Sequence, residues 1–157
     1  MDEASVWDGI ESLYRAEFPR FERVARAITG ERETALEAVQ EGFADALRHA
    51  SRWRGEGPLE AWLWRCVVNR ARKARPRPAS ALPFEELAPD GGRDESELAA
   101  RLAALPERQR VVVFLRYFAD LEYREIAAAL GIGTGTVSAT LHAAHVKLRA
   151  GSQEALA

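Results

Sequence analysis

Apolar residues recur at helical spacing through nearly the whole chain. Val6, Ile10, Leu13 and Tyr14, then Phe18, Phe21, Val24, Ala25 and Ile28, fall three and four apart. That period lays a stripe along one side of an α-helix. Pro19 stands inside the run and predicts a kink or break, because its ring removes a donor and crowds the preceding turn. Gly30 predicts the end, since glycine readily takes the left-handed cap. Thr34 and Glu37 have capping-box spacing and predict a second helix to about Arg52, with Leu36, Val39, Phe43, Ala46 and Leu47 on one face. Gly55-Glu56-Gly57-Pro58 reads as a short loop. Pro58 suits the first turn of a third helix, which carries Leu59, Trp62, Leu63, Cys66, Val67 and Arg70 and stops before Pro76.

The pattern then lapses. Pro76, Pro78, Pro83, Pro89, Gly91 and Gly92 crowd a stretch with little helical period, which reads as a linker. Its Leu82, Phe84 and Leu87 could still dock. Helical spacing returns near Ser96 with Leu98, Leu102 and Leu105, and Pro106 opens a helix whose buried set is Val111, Val112, Phe114, Leu115 and Phe118. Short helices are expected at Glu122–Leu130 and about Thr134–Ala150. No alternating run suggests a strand. The expected fold is all-α: two small helical domains, residues 1–75 and 96–157, joined by a flexible linker at 76–95, the second containing a helix-turn-helix.

That motif is the strongest local signal, from Tyr123 to His142. Ile126 and Leu130 bury its first helix, and Ala127 is small where two helices must cross. Gly131 supplies a turn that needs a positive φ. Ile132 plugs the gap beneath it, while Val137 and Leu141 pin the second helix, the one that enters a major groove in this motif. Thr134 or Thr136 could cap that helix and turn its amides toward a phosphate.

Composition narrows the class. The 157 residues carry a formal net charge of −2, and 47% are apolar, a globular mixture. The single cysteine, Cys66, forbids an internal disulfide and fits a reducing compartment; it reads as a small buried hydrophobe. No apolar run approaches the ~18 residues of a membrane span, and the start of the chain is acidic where a signal peptide would be basic. A cytoplasmic protein without membrane insertion is expected. Charge is unevenly placed: Arg48 to Arg77 holds nine basic residues against two acids, and Ala79 to Ala104 six acids against two bases. Clustered cations suit a polyanion, because binding releases counterions from phosphates. Trp53, Trp62 and Trp64 lie in the basic segment. Aromatic rings beside arginines can stack on unpaired bases, although Trp62 by itself reads as core.

Short motifs in a fixed order then carry a resemblance. Leu13-Tyr14-Arg15, Ala38-Val39-Gln40-Glu41-Gly42-Phe43, Trp53-Arg54-Gly55-Glu56 and Trp62-Leu63-Trp64-Arg65 leading to Asn69-Arg70-Ala71 come first. Leu105-Pro106-Glu107-Arg108-Gln109-Arg110, Leu115-Arg116-Tyr117, Tyr123-Arg124-Glu125-Ile126-Ala127 and Gly135-Thr136-Val137 follow. The chain resembles an extracytoplasmic-function (ECF) sigma factor of the sigma-70 family over nearly its whole length except the connector. That resemblance implies a promoter-specificity subunit with RNA polymerase core and promoter DNA as partners, an anti-sigma factor as regulator, no cofactor and no catalytic residues of its own. It implies core-polymerase binding by Glu37, Gln40, Glu41 and Phe43. It implies capture of the −10 element as single strand, with Trp53 as a stacking surface and Asn69 able to meet a base edge. Arg54, in the same loop as Trp53, belongs to that set, and Arg65, Arg70, Arg72 and Lys73 complete it, with backbone phosphates as the partners of those four. It implies reading of the −35 element by the second domain, for which Thr134, Thr136, Ser138, Thr140, His142 and Lys147 are the candidates.

The second helix of the motif departs from the family pattern. Its outer positions are Ser138, Ala139, Thr140, His142, Ala143 and His145, and its first cation is Lys147. Bidentate arginine-to-guanine reading is therefore absent there, and a weak −35 contact is expected. Gly133 replaces the usual proline, and Gly42 is expected to cost its helix about 1 kcal/mol. His142 and His145 are spaced to share a metal, but no cysteine lies near, and no metal site is expected. Two other classes fit part of the chain: a stand-alone helix-turn-helix regulator, and a sigma-like protein acting mainly through protein contacts. No Ser/His/Asp or paired-carboxylate grouping suggests an enzyme.

Overall fold

Helix α1 (Glu3–Thr29) runs unbroken for 27 residues in the computed structural model, which describes residues 2–74 and 93–156. Asp2 caps it by accepting the Ser5 N–H at 2.9 Å. Gly30, at φ 77°, closes it by donating to the Arg26 carbonyl. The break expected at Pro19 does not occur. Arg15 and Pro19 both lie on the exposed side, so the carbonyl left without its helical donor faces solvent, while Phe21, Val24 and Ile28 stay packed. Burial of that face outweighs the local cost of the ring.

α2 (Arg32–Arg48) starts earlier than the capping-box spacing implied. Its N-cap is Glu31, and the Thr34 hydroxyl donates back to the Glu31 carboxylate at 3.1 Å. It also ends earlier, at Arg48, and residues Ala50–Arg52 form one 3₁₀ turn. α3 (Leu59–Lys73) follows, with Pro58 as its N-cap. Gly42 accounts for how closely α2 and α3 approach. A β-carbon at that position would stand 2.7 Å from the Val67 Cα, inside any real contact. The helix-propensity cost of glycine is thus the condition for this crossing.

Aromatic rings fill the space among these three helices. Phe21 stacks on Trp64 with centroids 3.9 Å apart, and Phe43 meets Phe21 and Tyr14 edge-on at 5.0 and 5.1 Å. Cys66 is half-buried, and burial pushes its thiol up to about 11, as suits a packing residue.

The second half contains α4 (Arg93–Ala104), α5 (Glu107–Tyr117), α6 (Tyr123–Leu130) and α7 (Thr134–Leu156). Residues 93–95, expected in the linker, open α4. Leu82, Phe84 and Leu87, and the rest of the linker up to residue 92, lie outside the described residues. Gly131 sits at φ 67° as its turn demands, and α6 and α7 are bent 103° apart, within the usual helix-turn-helix range. Val137, Leu141, Ile126 and Ala129 are all buried beneath that corner. Among the described residues, no single helix is long and apolar enough to cross a membrane.

The two helical halves lie against one another. α6 lies on α3, α5 lies on α1, and buried side chains of both halves join one contiguous cluster. At the α1–α5 contact, Arg110 is 5% exposed. Its Nε donates to the Ala27 carbonyl at 3.1 Å, and its Nη1 to the Leu105 and Ala103 carbonyls at 3.1 and 3.4 Å. These are carbonyls from the ends of α1 and α4, where helices leave acceptors unused and the dipole favours a cation.

Candidate nucleic-acid interface

Positions 62, 65, 69 and 72 follow one another down a single side of α3. Arg65, Asn69, Arg72 and the adjoining Lys73 are exposed there, and Trp62 is half-buried at the upper end. Trp53, in the loop before α3, packs its ring partly against the core while Arg54 projects into solvent. The Trp53 indole N–H is buried and meets no acceptor among the described residues. Trp64, one residue from the exposed side, belongs wholly to the core at 0% exposure. Of the expected strand-binding set, Trp53 and Arg65 line one cleft, and Arg54, Asn69, Arg72 and Lys73 stay exposed.

Arg70 does not. Its guanidinium grips Asp45 with two bonds, Nε to Oδ2 at 2.5 Å and Nη2 to Oδ1 at 2.8 Å, and it reaches Glu41 at 3.4 Å. The same Asp45 carboxylate takes Arg48. Arg70 is therefore an α2–α3 tie whose charge is already compensated, and it leaves the phosphate-binding set. Among the described residues, Arg72 has a loose partner, Glu107 at 3.8 Å.

Hydrogen bonding from Arg70, assisted by Arg48, holds the Asp45 carboxyl down to about 2 from its ordinary 3.8. A depressed carboxylate pKa contributes stability that is full above the ordinary value and is lost as pH falls through the folded value. Asp45→Asn is expected to cost about 1–2 kcal/mol at neutral pH. Its gap from the parent should narrow by roughly half by about pH 3 and close further toward about 2. Urea midpoints at both pH values measure this, and an unchanged gap would show that the carboxylate is not its source.

The expected recognition-helix residues divide. Thr134, Thr136, Ser138, His142 and Lys147 are exposed along α7. Thr140 is half-buried, and its hydroxyl donates to the Thr136 carbonyl at 2.6 Å, so it is committed to its own helix. His145 is engaged too, its Nε2 standing 2.8 Å from the Tyr117 hydroxyl. On α2, Glu37, Gln40 and Glu41 are exposed, as a docking face needs. Phe43 is 4% exposed and belongs to the aromatic core. It can support that face but offers almost no surface of its own.

Two features lie outside the sequence expectations. Trp7 is 47% exposed and, with Tyr14, Gln40, Phe43 and Leu47, lines a groove of about 420 Å³ between α1 and α2. Its position off the Val6–Ile10 stripe was the available signal. The other is a cleft of about 450 Å³ beside Trp53, Trp62 and Arg65, whose opposite wall is Arg124, Glu125 and Ala128 of α6. No pattern within either half predicts that wall.

Comparisons with known proteins converge on one family. Residues 13–77 match the model for sigma-70 region 2, and residues 95–148 match that for sigma-70, region 4. The RNA polymerase sigma-E factor of Streptomyces coelicolor is 33% identical over 81% of this chain and 76% of its own length. The ECF RNA polymerase sigma factor SigE of Mycolicibacterium smegmatis is 31% identical over 94% of this chain, which spans 63% of that relative. Among solved structures, CnrH in complex with the cytosolic domain of CnrY matches with a TM-score of 0.72 at 22% identity, covering 94% of this chain and 92% of that one. The sigma factor RpoE in complex with the anti-sigma factor NepR from Bartonella quintana gives 0.71 at 19% identity, covering 93% and 97%.

Proposed function

The chain belongs to the sigma-70 family, within its ECF group, and on that footing we propose that it binds RNA polymerase core and directs the enzyme to a promoter. The observation that carries this reading is the α3 surface, where Trp62, Arg65, Asn69 and Arg72 follow one another beside the Trp53 loop. Separated strands offer base faces and phosphates, and this surface offers rings, an amide and cations at matching places. Exposed Glu37, Gln40 and Glu41 supply the polymerase-docking face. The α6–α7 pair stands ready for duplex −35 DNA, with a neutral and therefore weak reading helix. The chain contributes no bond-making chemistry and works where the polymerase works, in the cytoplasm. An anti-sigma factor as regulator belongs to the same reading.

Grip on DNA comes mainly through the polymerase, which holds both halves over the template so that weak contacts add through effective concentration. Runoff transcription from the gene's own promoter, by core polymerase with and without the protein, is the test. A discrete transcript that depends on the protein is expected. Its absence, together with sub-micromolar sequence-specific binding by the free chain, would favour the stand-alone regulator instead.

A further inference from the structure

We propose that His142 supplies the charge the reading helix otherwise lacks: α7 grips −35 DNA through a phosphate contact made by the protonated imidazole, so the grip tightens as pH falls. This deepens, and rests on, the −35 reading given above.

The helix leaves few other groups for the task. Thr140 is spent on the Thr136 carbonyl and His145 on the Tyr117 hydroxyl. Val137, Leu141 and Ala144 are buried. Ser138, Ala139 and His142 stay exposed, with His142 one turn beyond Ser138 on the same side. Of the chain's three histidines, His49 is half-buried against the Asp45 carbonyl and His145 is half-buried against Tyr117, while His142 faces solvent.

Reach decides between His142 and the fixed cations. At 1.5 Å per residue, His142 stands about 12 Å along α7 from Thr134, whereas Lys147 and Arg149 stand about 20 and 22 Å along. In this motif the N-terminal part of the second helix enters the major groove, which is about 12 Å wide. His142 therefore comes level with the phosphate wall of the groove, and the two fixed cations lie beyond it.

Neighbouring charges do not substitute for it. The elements packed on α7 are α4, α5 and α6. Arg116 of α5 pairs with Asp120 at 3.8 Å, and Tyr117 beside it holds His145. Arg124 of α6 stands 3.6 Å from Glu122, and the Glu125 carboxylate accepts the Glu122 N–H at the start of that helix. Arg101 of α4 lies against Gly151, more than two turns past His142. Histidine gains its charge between about pH 8 and 5. A phosphate attracts the charged ring and not the neutral one, so the contact strengthens as pH falls through that window and fades as pH rises through it.

The test uses polymerase loaded with the full chain. Its affinity is measured for a labelled fragment of the gene's own promoter and for the same fragment cut short of the −35 element. The ratio of the two isolates the −35 contact and cancels the pH response of the polymerase itself. For the parent that ratio should rise about three- to tenfold from about pH 8 to about pH 6. The salt dependence on the full fragment should steepen by roughly one phosphate contact over the same change. His142→Gln should hold the low ratio at both pH values and His142→Arg the high one, whereas His145→Gln should rise like the parent. A ratio that stays flat in the parent, or that still rises in His142→Gln, overturns the proposal. Runoff transcription at about pH 8 separates that failure from a larger one. With a protein-dependent transcript present, the proton-linked contact alone falls; without it, the promoter reading beneath it falls as well.

Discussion

Trp64→Ala is expected to lose about 3–5 kcal/mol of stability, a large share of the 5–15 kcal/mol typical of a domain. The ring is fully buried, lies flat on Phe21 at 3.9 Å, and through Phe21 supports Phe43 and Tyr14. Its removal opens a cavity at the meeting point of α1, α2 and α3. Its indole N–H also gives up a long bond to Glu60, 3.4 Å. For a chain this long, each kcal/mol moves the thermal midpoint by roughly 2–4 °C, so a fall on the order of 10 °C is expected. Trp62→Ala is the matched control. That ring is half-buried and lines a cleft, and its loss should cost less than half as much. Urea denaturation of both variants checks the pair, and equal losses would contradict the packing described.

These two tryptophans show where sequence reading stops. Helical spacing located α3 and its apolar content. It placed Trp62 rather than Trp64 on the stripe with Leu63 and Val67 and read Trp62 as core, whereas Trp64 is the fully buried ring and Trp62 is half-buried. The ranking depends on Phe21, which arrives from another helix. Other features were legible because their causes are local. Gly30 and Gly131 adopt the positive φ their turns require, and Val137 and Leu141 are buried where the motif needs them. Pro19 misled because the penalty of a proline is local while the compensation is tertiary.

Candidate site residues follow the same division. Exposure of Arg65, Asn69 and Lys73 followed from their turn of α3. The capture of Arg70 by Asp45 did not, because 25 positions separate them and only the close α2–α3 crossing at Gly42 brings them together. Arg110 offered a clue: it stands four residues before Phe114, on the apolar side of its helix, where a charge needs an explanation. Which carbonyls would surround it depended on how the halves meet, and no periodicity within either half encodes that.

Trp53→Ala is expected to reduce runoff transcription by the loaded polymerase about 5- to 150-fold, because stacking of one base on an aromatic ring is worth about 1–3 kcal/mol. The ring packs partly on the core, so some stability will be lost as well, and a thermal midpoint must accompany the assay. Trp53→Phe separates the two effects. It keeps a stacking surface while losing the indole N–H, and should recover most of the transcription. Arg70→Ala sharpens the contrast. Its guanidinium is bound to Asp45 and Glu41, so its loss should lower stability and leave promoter opening, probed by permanganate reactivity of unpaired thymines, nearly unchanged at a temperature where the variant is folded. Arg65→Ala, on the exposed side, should weaken opening and leave it less sensitive to salt than in the parent, as fits one lost phosphate contact. If Arg70→Ala impairs opening as strongly as Trp53→Ala while Trp53→Ala stays active, the strand runs along a different face of α3, and the surface assigned here is not the one that holds the opened promoter.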